Sequence, residues 1–173
     1  DDTGLHTALS SIRGKQELND GTAQMRSFDS DLALNDPNLL DVVREFDGDQ
    51  TVVMQTLWPN VILQQQSNTL ATRQIVPKGP NSFELHWTFF GYEDDDEEMT
   101  ARRLRQANLM GPAGLVSMDD GQILERTQEG ILAHPNEQGV VELGGRGTDD
   151  ADHMVTEVAL RAFYKGYRNV MGL

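Results

Sequence analysis

The chain has 173 residues, of which 38% are hydrophobic and 24% are charged, a composition that is ordinary for a globular domain with its own core. Its formal net charge of −14 argues against a nucleic-acid ligand, because the phosphates of DNA or RNA need a basic surface. The absence of cysteine excludes disulfides. The sequence has no apolar run of about 18 residues and no signal-like N-terminus, so it predicts neither a membrane span nor secretion, and we expect a cytoplasmic protein.

The first half of the chain has the composition of β-strands separated by turn residues. Strands are predicted at Leu5 to Ile12, Thr51 to Trp58, Val61 to Gln66, Thr69 to Pro77 and Ser82 to Tyr92. A short helix is predicted from Asp36 to Phe46, because Pro37 suits the first turn of a helix. The segment Lys78-Gly79-Pro80-Asn81 is predicted to form the hairpin turn between the last two strands.

The second half of the chain is predicted to be mainly helical. Helices are expected at Asp95 to Asn108, Met118 to Gly130 and Asp150 to Val170, with a short strand at Gly139 to Leu143. The last helix ends at Gly172 and has an apolar face formed by Val155, Val158, Ala159, Ala162, Phe163 and Val170. Strands followed by helices are typical of the α+β class.

The run from Met110 to Asp120 leads from a Gly/Pro-rich turn into a helix with a carboxylate on its apolar side. The residues that follow Asp120 at the spacing of a core-facing stripe are Ile123, Leu124, Thr127 and Ile131. We therefore expect Asp120 to point inward, where a carboxylate needs hydrogen-bond donors or a metal ion as partner. Asp119 lies about 100° around the helix, on the side of Gln122 and Arg126, and is expected to be solvated.

The same residues have a simpler interpretation. Ser117 followed three residues later by Asp120 fits a helix N-cap with a returning acidic side chain. Such a capping arrangement needs no function, so the S-x-x-D pattern by itself does not identify a ligand.

Two segments carry a resemblance to a known family. The run GPAGLVSMDDGQILERTQEGI, which begins at Gly111, resembles the iron-ligand segment of the catalytic α subunits of Rieske-type aromatic-ring-hydroxylating oxygenases. The run TLATRQIVPKGPNSFELHWTFFG, which begins at Thr69, is similar to the last two sheet strands of that family. The resemblance covers the chain from about Gly4 to the C-terminus, and it points to the members that act on carboxylated aromatics such as salicylate, anthranilate or terephthalate.

The resemblance implies a fold and a set of site residues. The fold is a helix-grip fold, in which a curved antiparallel sheet wraps a long C-terminal helix, and it is expected to be incomplete here at the N-terminus. Asp120 would be the catalytic residue and metal ligand, as the carboxylate of a two-histidine, one-carboxylate site for mononuclear Fe(II). The positions that match the substrate pocket of the family are Met110, Leu115, Val116, Gln64 and Ser67. The aliphatic members of this set fit core packing equally well.

The two histidine ligands of the family have no counterpart in this chain. They belong to a D-x-Y-H motif followed by a second His, whereas the histidines here are scattered at positions 6, 86, 134 and 153 and are interpreted as ordinary surface or core residues. Without cysteine the chain cannot hold a Rieske [2Fe-2S] cluster either, since that cluster needs two Cys and two His ligands. Residues 1–173 are therefore expected to be the C-terminal portion of the catalytic domain, with the Rieske domain before residue 1, and we expect this chain alone to bind neither iron nor a cluster.

The resemblance also implies a reaction and its partners. The reaction is hydroxylation or dihydroxylation of an aromatic ring by O2, with electrons from NAD(P)H that reach the Rieske cluster through ferredoxin or reductase donors. The assembly is expected to be a trimer of the α3 or α3β3 type. A carboxylated substrate needs a cationic or multi-donor partner, and the candidates are Arg13, Arg73, Arg161 and the amide of Gln64.

The acidic run from Glu93 to Glu98 is interpreted as the start of a helix. Acidic residues in a first turn complement the helix dipole, and Glu98 is spaced to pair with Arg102 one turn later. A docking surface for a basic electron-transfer partner is the alternative.

Two other interpretations of the whole chain remain open. One is a non-catalytic ligand-binding domain with the same helix-grip architecture, which the missing histidines favour. The other is the small β subunit of such an oxygenase, against which the Asp119-Asp120 segment argues because it belongs to the catalytic subunit.

Overall fold

A five-stranded antiparallel sheet forms the centre of the residues that this computed structural model describes, which are 5–12, 34–140, 144–152 and 156–173. The strands are β1 (His6–Ser11), β2 (Val52–Leu57), β3 (Val61–Gln66), β4 (Thr69–Gly79) and β5 (Ser82–Phe90). Their order in the sheet is their order in the sequence. The five strand predictions are confirmed, with small shifts at the ends.

The register of the sheet brings one set of side chains together on one face. Ile62, Arg73 and Trp87 are cross-strand partners on β3, β4 and β5. Gln64 follows Ile62 by two residues, so its side chain points to the same face, and its partner on β2 is Met54. We call the surface formed by these five residues the Arg73 face.

Three α-helices follow the sheet in the described ranges: α1 (Glu97–Met110), α2 (Leu115–Ala133) and α3 (Val158–Met171). α1 begins at a side-chain cap, because the carboxylate of Asp96 accepts a hydrogen bond from the Met99 N–H at 2.8 Å. α3 packs beside β1, and the ring centroids of Phe163 and Tyr167 lie 5.4 and 6.1 Å from that of Trp58. The α+β class is confirmed. Nowhere in the described ranges does a helix combine the length and apolar character needed to cross a membrane.

Polar side chains hold α1 against the sheet. Gln106 is 1% exposed; its side-chain oxygen accepts from the Asn68 N–H at 2.8 Å and its amide nitrogen donates to the Asp41 carbonyl at 2.7 Å. Asn68 lies in the turn between β3 and β4, where its side chain accepts from the Val43 N–H and donates to the Val43 carbonyl at 2.9 and 2.6 Å. Buried hydrogen bonds therefore join α1, the β3–β4 turn and the 41–45 segment.

A buried arginine extends these contacts. Arg103 is 6% exposed and donates to Asp95 at 2.7 Å, to the Asn68 carbonyl at 2.5 Å and to Glu45. The hydrogen bond from Arg103 lowers the pKa of Asp95. The resulting stabilisation of the folded state is present above the ordinary aspartate pKa of about 4 and is lost as the pH falls through the lowered pKa.

The residues joined by these side-chain contacts form one set, to which Arg102 belongs through its hydrogen bond to the Asp41 carbonyl. We call the following set the Asn68 network: Asp41, Glu45, Asn68, Asp95, Arg102, Arg103 and Gln106.

The segment between β1 and β2 departs from the prediction. Only Pro37–Leu40 is helical, as a short 3₁₀ turn, so the helix predicted from Asp36 to Phe46 is wrong beyond that turn. The carbonyl of Asp41 and both backbone polar groups of Val43 are instead hydrogen-bonded to side chains of the Asn68 network. Tertiary hydrogen bonds thus override the local helix preference of the segment.

The end of the chain also differs from the prediction. The last helix begins at Val158 rather than Asp150, because Glu157 has a left-handed φ of 47°, which a right-handed helix cannot include. Of the strand predicted at Gly139 to Leu143, residues 139 and 140 are not in a strand, and residues 141–143 lie outside the described ranges. Val155 of the predicted apolar face lies outside them as well.

The Asn68 network predicts a large effect from one neutral substitution. Gln106→Leu leaves the buried Asn68 N–H without its partner, which should lower the unfolding free energy by about 1–3 kcal/mol, whereas the Asp41 carbonyl keeps its hydrogen bond from Arg102. Gln122→Leu makes the same change at an exposed helical position and should alter it by no more than about 0.5 kcal/mol. Urea unfolding compares the two variants, and equal transition midpoints would show that Gln106 does not hold α1 in place.

Candidate functional site

Asp120 lies near the start of α2, shortly after a tight connection from α1. The helix begins at Leu115 with Gly114 as its N-cap, so the predicted cap at Ser117 is wrong. The Ser117 hydroxyl donates instead to the carbonyl of Met110, the last residue of α1, at 3.0 Å. A capping arrangement therefore does not account for Asp120.

Two glycines make the connection between α1 and α2 possible. A Cβ on Gly114 would lie 2.6 Å from the backbone carbon and oxygen of Leu109, and one on Gly111 would lie 2.5 Å from the Ala107 carbonyl oxygen and 3.0 Å from the Phe89 ring. The Gly114 N–H donates to the Gly111 carbonyl at 2.7 Å. The backbone therefore turns at two positions where a Cβ atom would clash with neighbouring backbone atoms. This turn sets the direction of α2 relative to α1.

Asp120 and its neighbour Asp119 are both exposed. The prediction of a solvated Asp119 is confirmed. Asp120, for which the sequence predicts an inward position, is exposed as well. The apolar stripe that follows Asp120 is exposed too, because α2 buries none of its side chains among the described residues. Periodicity identified the apolar side of the helix, but burial depends on a covering surface that the described ranges do not supply.

Asp120 interacts electrostatically with Arg73 on β4. Burial lowers the pKa of the Arg73 guanidinium, and the negative charge of Asp120 opposes that shift. The guanidinium lies over the Trp87 ring, 4.9 Å from its centroid, and its Nη2 is 3.4 Å from the Met54 sulfur. The carboxylate is therefore within electrostatic range of the Arg73 face.

Two buried polar atoms on the Arg73 face have no hydrogen-bond partner in the described part of the chain. They are Nε of Arg73 and Oε1 of Gln64. Gln64 is 7% exposed, and its amide nitrogen donates to the Gln66 side chain at 2.5 Å, which leaves the oxygen as the unpaired atom. Such atoms are rare because each one costs about 1–3 kcal/mol. An unpaired donor and an unpaired acceptor on one face indicate a place for a polar ligand.

The other arginines considered as anion partners differ from Arg73. Arg161 donates to the Gly147 carbonyl at 2.7 Å, to the Thr156 hydroxyl at 3.3 Å and to the Thr156 carbonyl. Arg13 lies outside the described residues. Arg73 is the candidate that the structure supports.

The aliphatic residues predicted to line the pocket have different surroundings. Met110 is buried at the end of α1, whereas Leu115 and Val116 are 55% and 44% exposed at the start of α2. Core packing accounts for Met110. It does not account for Leu115 and Val116, which lie on the same exposed helix as Asp120.

Ser67 is not brought to the Arg73 face. It lines a cavity of about 300 Å³ with residues of the 42–51 segment, and this cavity includes neither Gln64 nor any residue of α2. A cavity of about 320 Å³ between α1 and the ends of β4 and β5 does not include them either. The two cavities therefore lie apart from the place where Asp120 and Arg73 interact.

The histidines do not gather around Asp120. Within the ranges that the structure describes, no three His, Cys, Asp or Glu side chains lie close enough to hold a metal ion. His6 accepts a hydrogen bond from the backbone N–H that follows β2, and His86 contacts an exposed glutamate. His134 ends α2, and His153 lies outside the described residues. These residues thus offer a metal ion one carboxylate and not a complete ligand set.

The acidic run before α1 is a helix start, as predicted. Asp96 is the N-cap, and Glu98 pairs with Arg102 at 3.3 Å. Asp95 is not solvated, because its side chain is mostly buried against Arg103. Part of the run therefore anchors α1 instead of forming a docking surface.

Sequence reasoning missed the surroundings of Arg73 and the role of α1. Alternation along β2 and β5 is the signal that places Met54 and Trp87 on one face with Arg73. For α1, the signal is that polar residues occupy the positions of the helical face that packs against the sheet, where apolar residues are usual. The buried residues of α1 are Arg102, Arg103, Gln106, Leu109 and Met110.

Known proteins match nearly the whole chain. The family described as ring hydroxylating alpha subunit (catalytic domain) matches residues 4–173. The large oxygenase component of salicylate 5-hydroxylase from Ralstonia sp is 49% identical over 169 residues, which are 96% of this chain and 40% of that protein. The anthranilate 1,2-dioxygenase large subunit from Burkholderia cepacia is 40% identical over 171 residues, and the terephthalate 1,2-dioxygenase terminal oxygenase component subunit alpha 2 from Comamonas sp is 39% identical over 170 residues. Each of these matches covers 98% of this chain, and 40% and 41% of the respective relative, so the chain spans about two fifths of the length of all three.

The α1–α2 connection predicts opposite effects for one substitution at two glycines. Gly114→Ala places a methyl group against the Leu109 backbone and should lower the unfolding free energy by about 1–3 kcal/mol. Gly130→Ala lies in α2 with open space around its Cβ and should raise it by about 0.5–1 kcal/mol, because alanine favours a helix over glycine. Chemical unfolding of both variants measures the difference, and a neutral Gly114→Ala would mean that the connection has room to adapt.

Proposed function

Because this chain belongs to the ring hydroxylating alpha subunits, in the part that forms their catalytic domain, we propose that it is part of a terminal oxygenase that hydroxylates or dihydroxylates an aromatic ring. The oxygen comes from O2, and the electrons come from NAD(P)H through a Rieske cluster. The observation that carries the proposal is Asp120 on α2, within electrostatic range of a sheet face that has an unpaired buried donor and acceptor.

The interpretation as a small β subunit is wrong. The matching family consists of alpha subunits, and the three relatives are described as a large component, a large subunit and an alpha subunit. The Asp119-Asp120 segment resembles a segment of the catalytic alpha subunits, and these matches agree with that resemblance.

A carboxylated aromatic is the proposed substrate. The three relatives are named for salicylate, anthranilate and terephthalate, and each of these compounds carries a carboxylate on its ring. Removing that charge from water requires a cationic or multi-donor partner. The half-buried Arg73 and its unpaired Nε support this choice of substrate.

The residues proposed to contact the substrate differ in the support that they have. Leu115 and Val116 are exposed at the start of the helix that carries Asp120, which supports a role at the ring, whereas Met110 is buried and rests on the resemblance. Gln64 is supported by its unpaired oxygen. Ser67 rests on the resemblance alone.

Asp120 is proposed as the carboxylate ligand of a mononuclear Fe(II) site. Among the described residues, Asp120 would supply the carboxylate of this site. The two histidine ligands would have to come from outside the described residues. When bound, the iron would supply the activation of O2. This chain would contribute a carboxylate held at a fixed place on α2 and a sheet face that binds and orients the ring.

The helix-grip fold is proposed for the complete domain, with α3 as its C-terminal helix. The packing of α3 beside β1, with Phe163 against Trp58, supports that arrangement. Residues 1–173 would be the C-terminal portion of the catalytic domain. Because the chain contains no cysteine, the Rieske cluster would be held by another part of the protein.

The proposed partners follow from the proposed reaction. Ferredoxin or reductase donors would deliver the electrons, and the subunits would assemble as α3 or α3β3. A reaction that draws its electrons from NAD(P)H would suit the cytoplasmic location that we propose.

Replacing the proposed ligand should separate the two iron sites of the complete oxygenase. Asp120→Ala should abolish ring hydroxylation and deplete the mononuclear iron, because the site loses its anionic ligand, while the absorption spectrum of the Rieske cluster stays unchanged. Asp119→Ala, the exposed neighbour, is the matched control and should retain both activity and iron. The iron content and the rate of product formation are measured for both variants and for the parent. Turnover retained by Asp120→Ala would remove Asp120 from the site. A parent protein that holds no mononuclear iron and oxidises no aromatic would instead favour a non-catalytic helix-grip ligand-binding domain.

The 173-residue chain by itself should bind Fe(II) weakly and should not turn over any aromatic. In the part of the chain that the structure describes, no histidine pair joins Asp120 to complete the facial ligand set, and without cysteine this chain cannot hold the Rieske cluster that delivers electrons. Anaerobic titration of the isolated chain with Fe(II) measures the affinity. Tight binding would mean that this chain contains ligands beyond Asp120.

A further inference from the structure

Arg73 and Gln64 lie close to each other on the Arg73 face. Arg73 is the cross-strand partner of Ile62, and Gln64 is the next residue of β3 on the same face, so the two are diagonal neighbours. Diagonal neighbours in an antiparallel pair are roughly 7–8 Å apart at their backbones, which is within joint reach of one small molecule. Met54 and Trp87 contact the Arg73 guanidinium and provide apolar surroundings.

The two unpaired atoms require opposite partners. Nε of Arg73 is a donor on a cation, so its best partner is a carboxylate oxygen. Oε1 of Gln64 is an acceptor, and a carboxylate there would be repelled. Because the amide nitrogen is already bonded to Gln66, the oxygen needs an O–H or N–H group from a ligand.

The charge of Asp120 adds a further requirement. Without a metal ion, this carboxylate partly compensates the buried charge of Arg73. A cation bound at Asp120 would remove that compensation and repel the guanidinium. An anionic group beside Arg73 would restore the balance of charge.

We propose that Arg73 and Gln64 form a substrate subsite for an aromatic acid with a hydroxyl or amino group next to its carboxylate. The carboxylate accepts a hydrogen bond from Nε of Arg73, and the neighbouring hydroxyl or amino group donates one to Oε1 of Gln64. Arg73 selects for the acid, and Gln64 selects for the ortho substituent. The subsite rests on the proposed oxygenase function, because it names the substrate of the same site.

The test measures binding to the complete oxygenase under anaerobic conditions, by calorimetry, with three probes. The probes are 2-hydroxybenzoate, benzoate and 2-hydroxybenzamide, which have both groups, only the carboxylate, and no charge. The variants are Arg73→Met, Arg73→Lys and Gln64→Leu, and Lys78→Met is a control on an exposed cation of the same strand. The mononuclear iron content is measured for every protein.

Each variant has its own expected pattern. Arg73→Met should weaken the binding of 2-hydroxybenzoate and benzoate by about 10- to 100-fold, because a charge-assisted hydrogen bond is lost, and should leave the binding of 2-hydroxybenzamide nearly unchanged. Arg73→Lys should weaken the binding of the two acids by less, since lysine keeps the positive charge but lacks the planar guanidinium donor. Gln64→Leu should remove the preference for 2-hydroxybenzoate over benzoate, which we expect to be about fivefold in the parent. Lys78→Met should bind all three probes as the parent does.

The outcomes separate the subsite from the function. If Arg73→Met weakens the acids and the amide equally, or if Gln64→Leu keeps the preference for the hydroxyl group, the subsite is wrong even when iron and turnover are normal. If the parent contains no mononuclear iron and oxidises no aromatic, the proposed function fails, and the binding series still decides whether Arg73 and Gln64 recognise the acid. Should Arg73→Met not fold, Arg73→Lys decides, since a selective loss for the acids supports the subsite and an equal loss for all probes overturns it.

Discussion

The hydrogen bonds between Gln106 and the β3–β4 turn are the constraint on which the rest of the structure depends. They hold α1 against the sheet, and Arg103 adds ion pairs to Asp95 and Glu45 in the same buried region. α2 has no buried side chain of its own among the described residues, so its position follows from α1 and from the Gly111–Gly114 connection. The placement of Asp120 therefore depends on contacts made well away from it.

The Arg73 face shows how charge can be arranged for a ligand. Arg73 rests on an aromatic ring and a thioether, and the carboxylate that acts on it, Asp120, is on a helix and exposed. In the Asn68 network, by contrast, Arg103 is surrounded by carboxylate and carbonyl acceptors. A fully paired arginine stabilises a fold, whereas an arginine with an unpaired nitrogen retains the capacity to bind an anion.

The sheet was predictable from the sequence, because alternation and turn residues are local signals, and β3 was predicted with its observed ends. The 36–46 segment was not predictable in the same way, since Asn68 and Gln106 occupy its backbone hydrogen bonds from distant positions. For the site, the helical stripe and the resemblance identified Asp120, and the resemblance made Arg73 one of several candidates. Neither could show that the apolar side of α2 is exposed, because burial depends on the surfaces that cover a helix. The unpaired oxygen of Gln64 results from the direction of its amide, and that direction depends on its bond to Gln66.

The sequential order of the sheet has a consequence for how the chain folds. From β2 to β5 each strand pairs with the next one across a short turn, so this part of the sheet can form by successive hairpins, whereas β1 pairs with β2 across residues 12–51. The Asn68 network joins residues that are up to 65 positions apart, and such contacts are expected to form after the hairpins. Interactions that form late affect the rate of unfolding more than the rate of folding. The Asn68 network would then mainly lower the rate at which α1 separates from the sheet during unfolding, and it would have little effect on the rate at which the sheet forms.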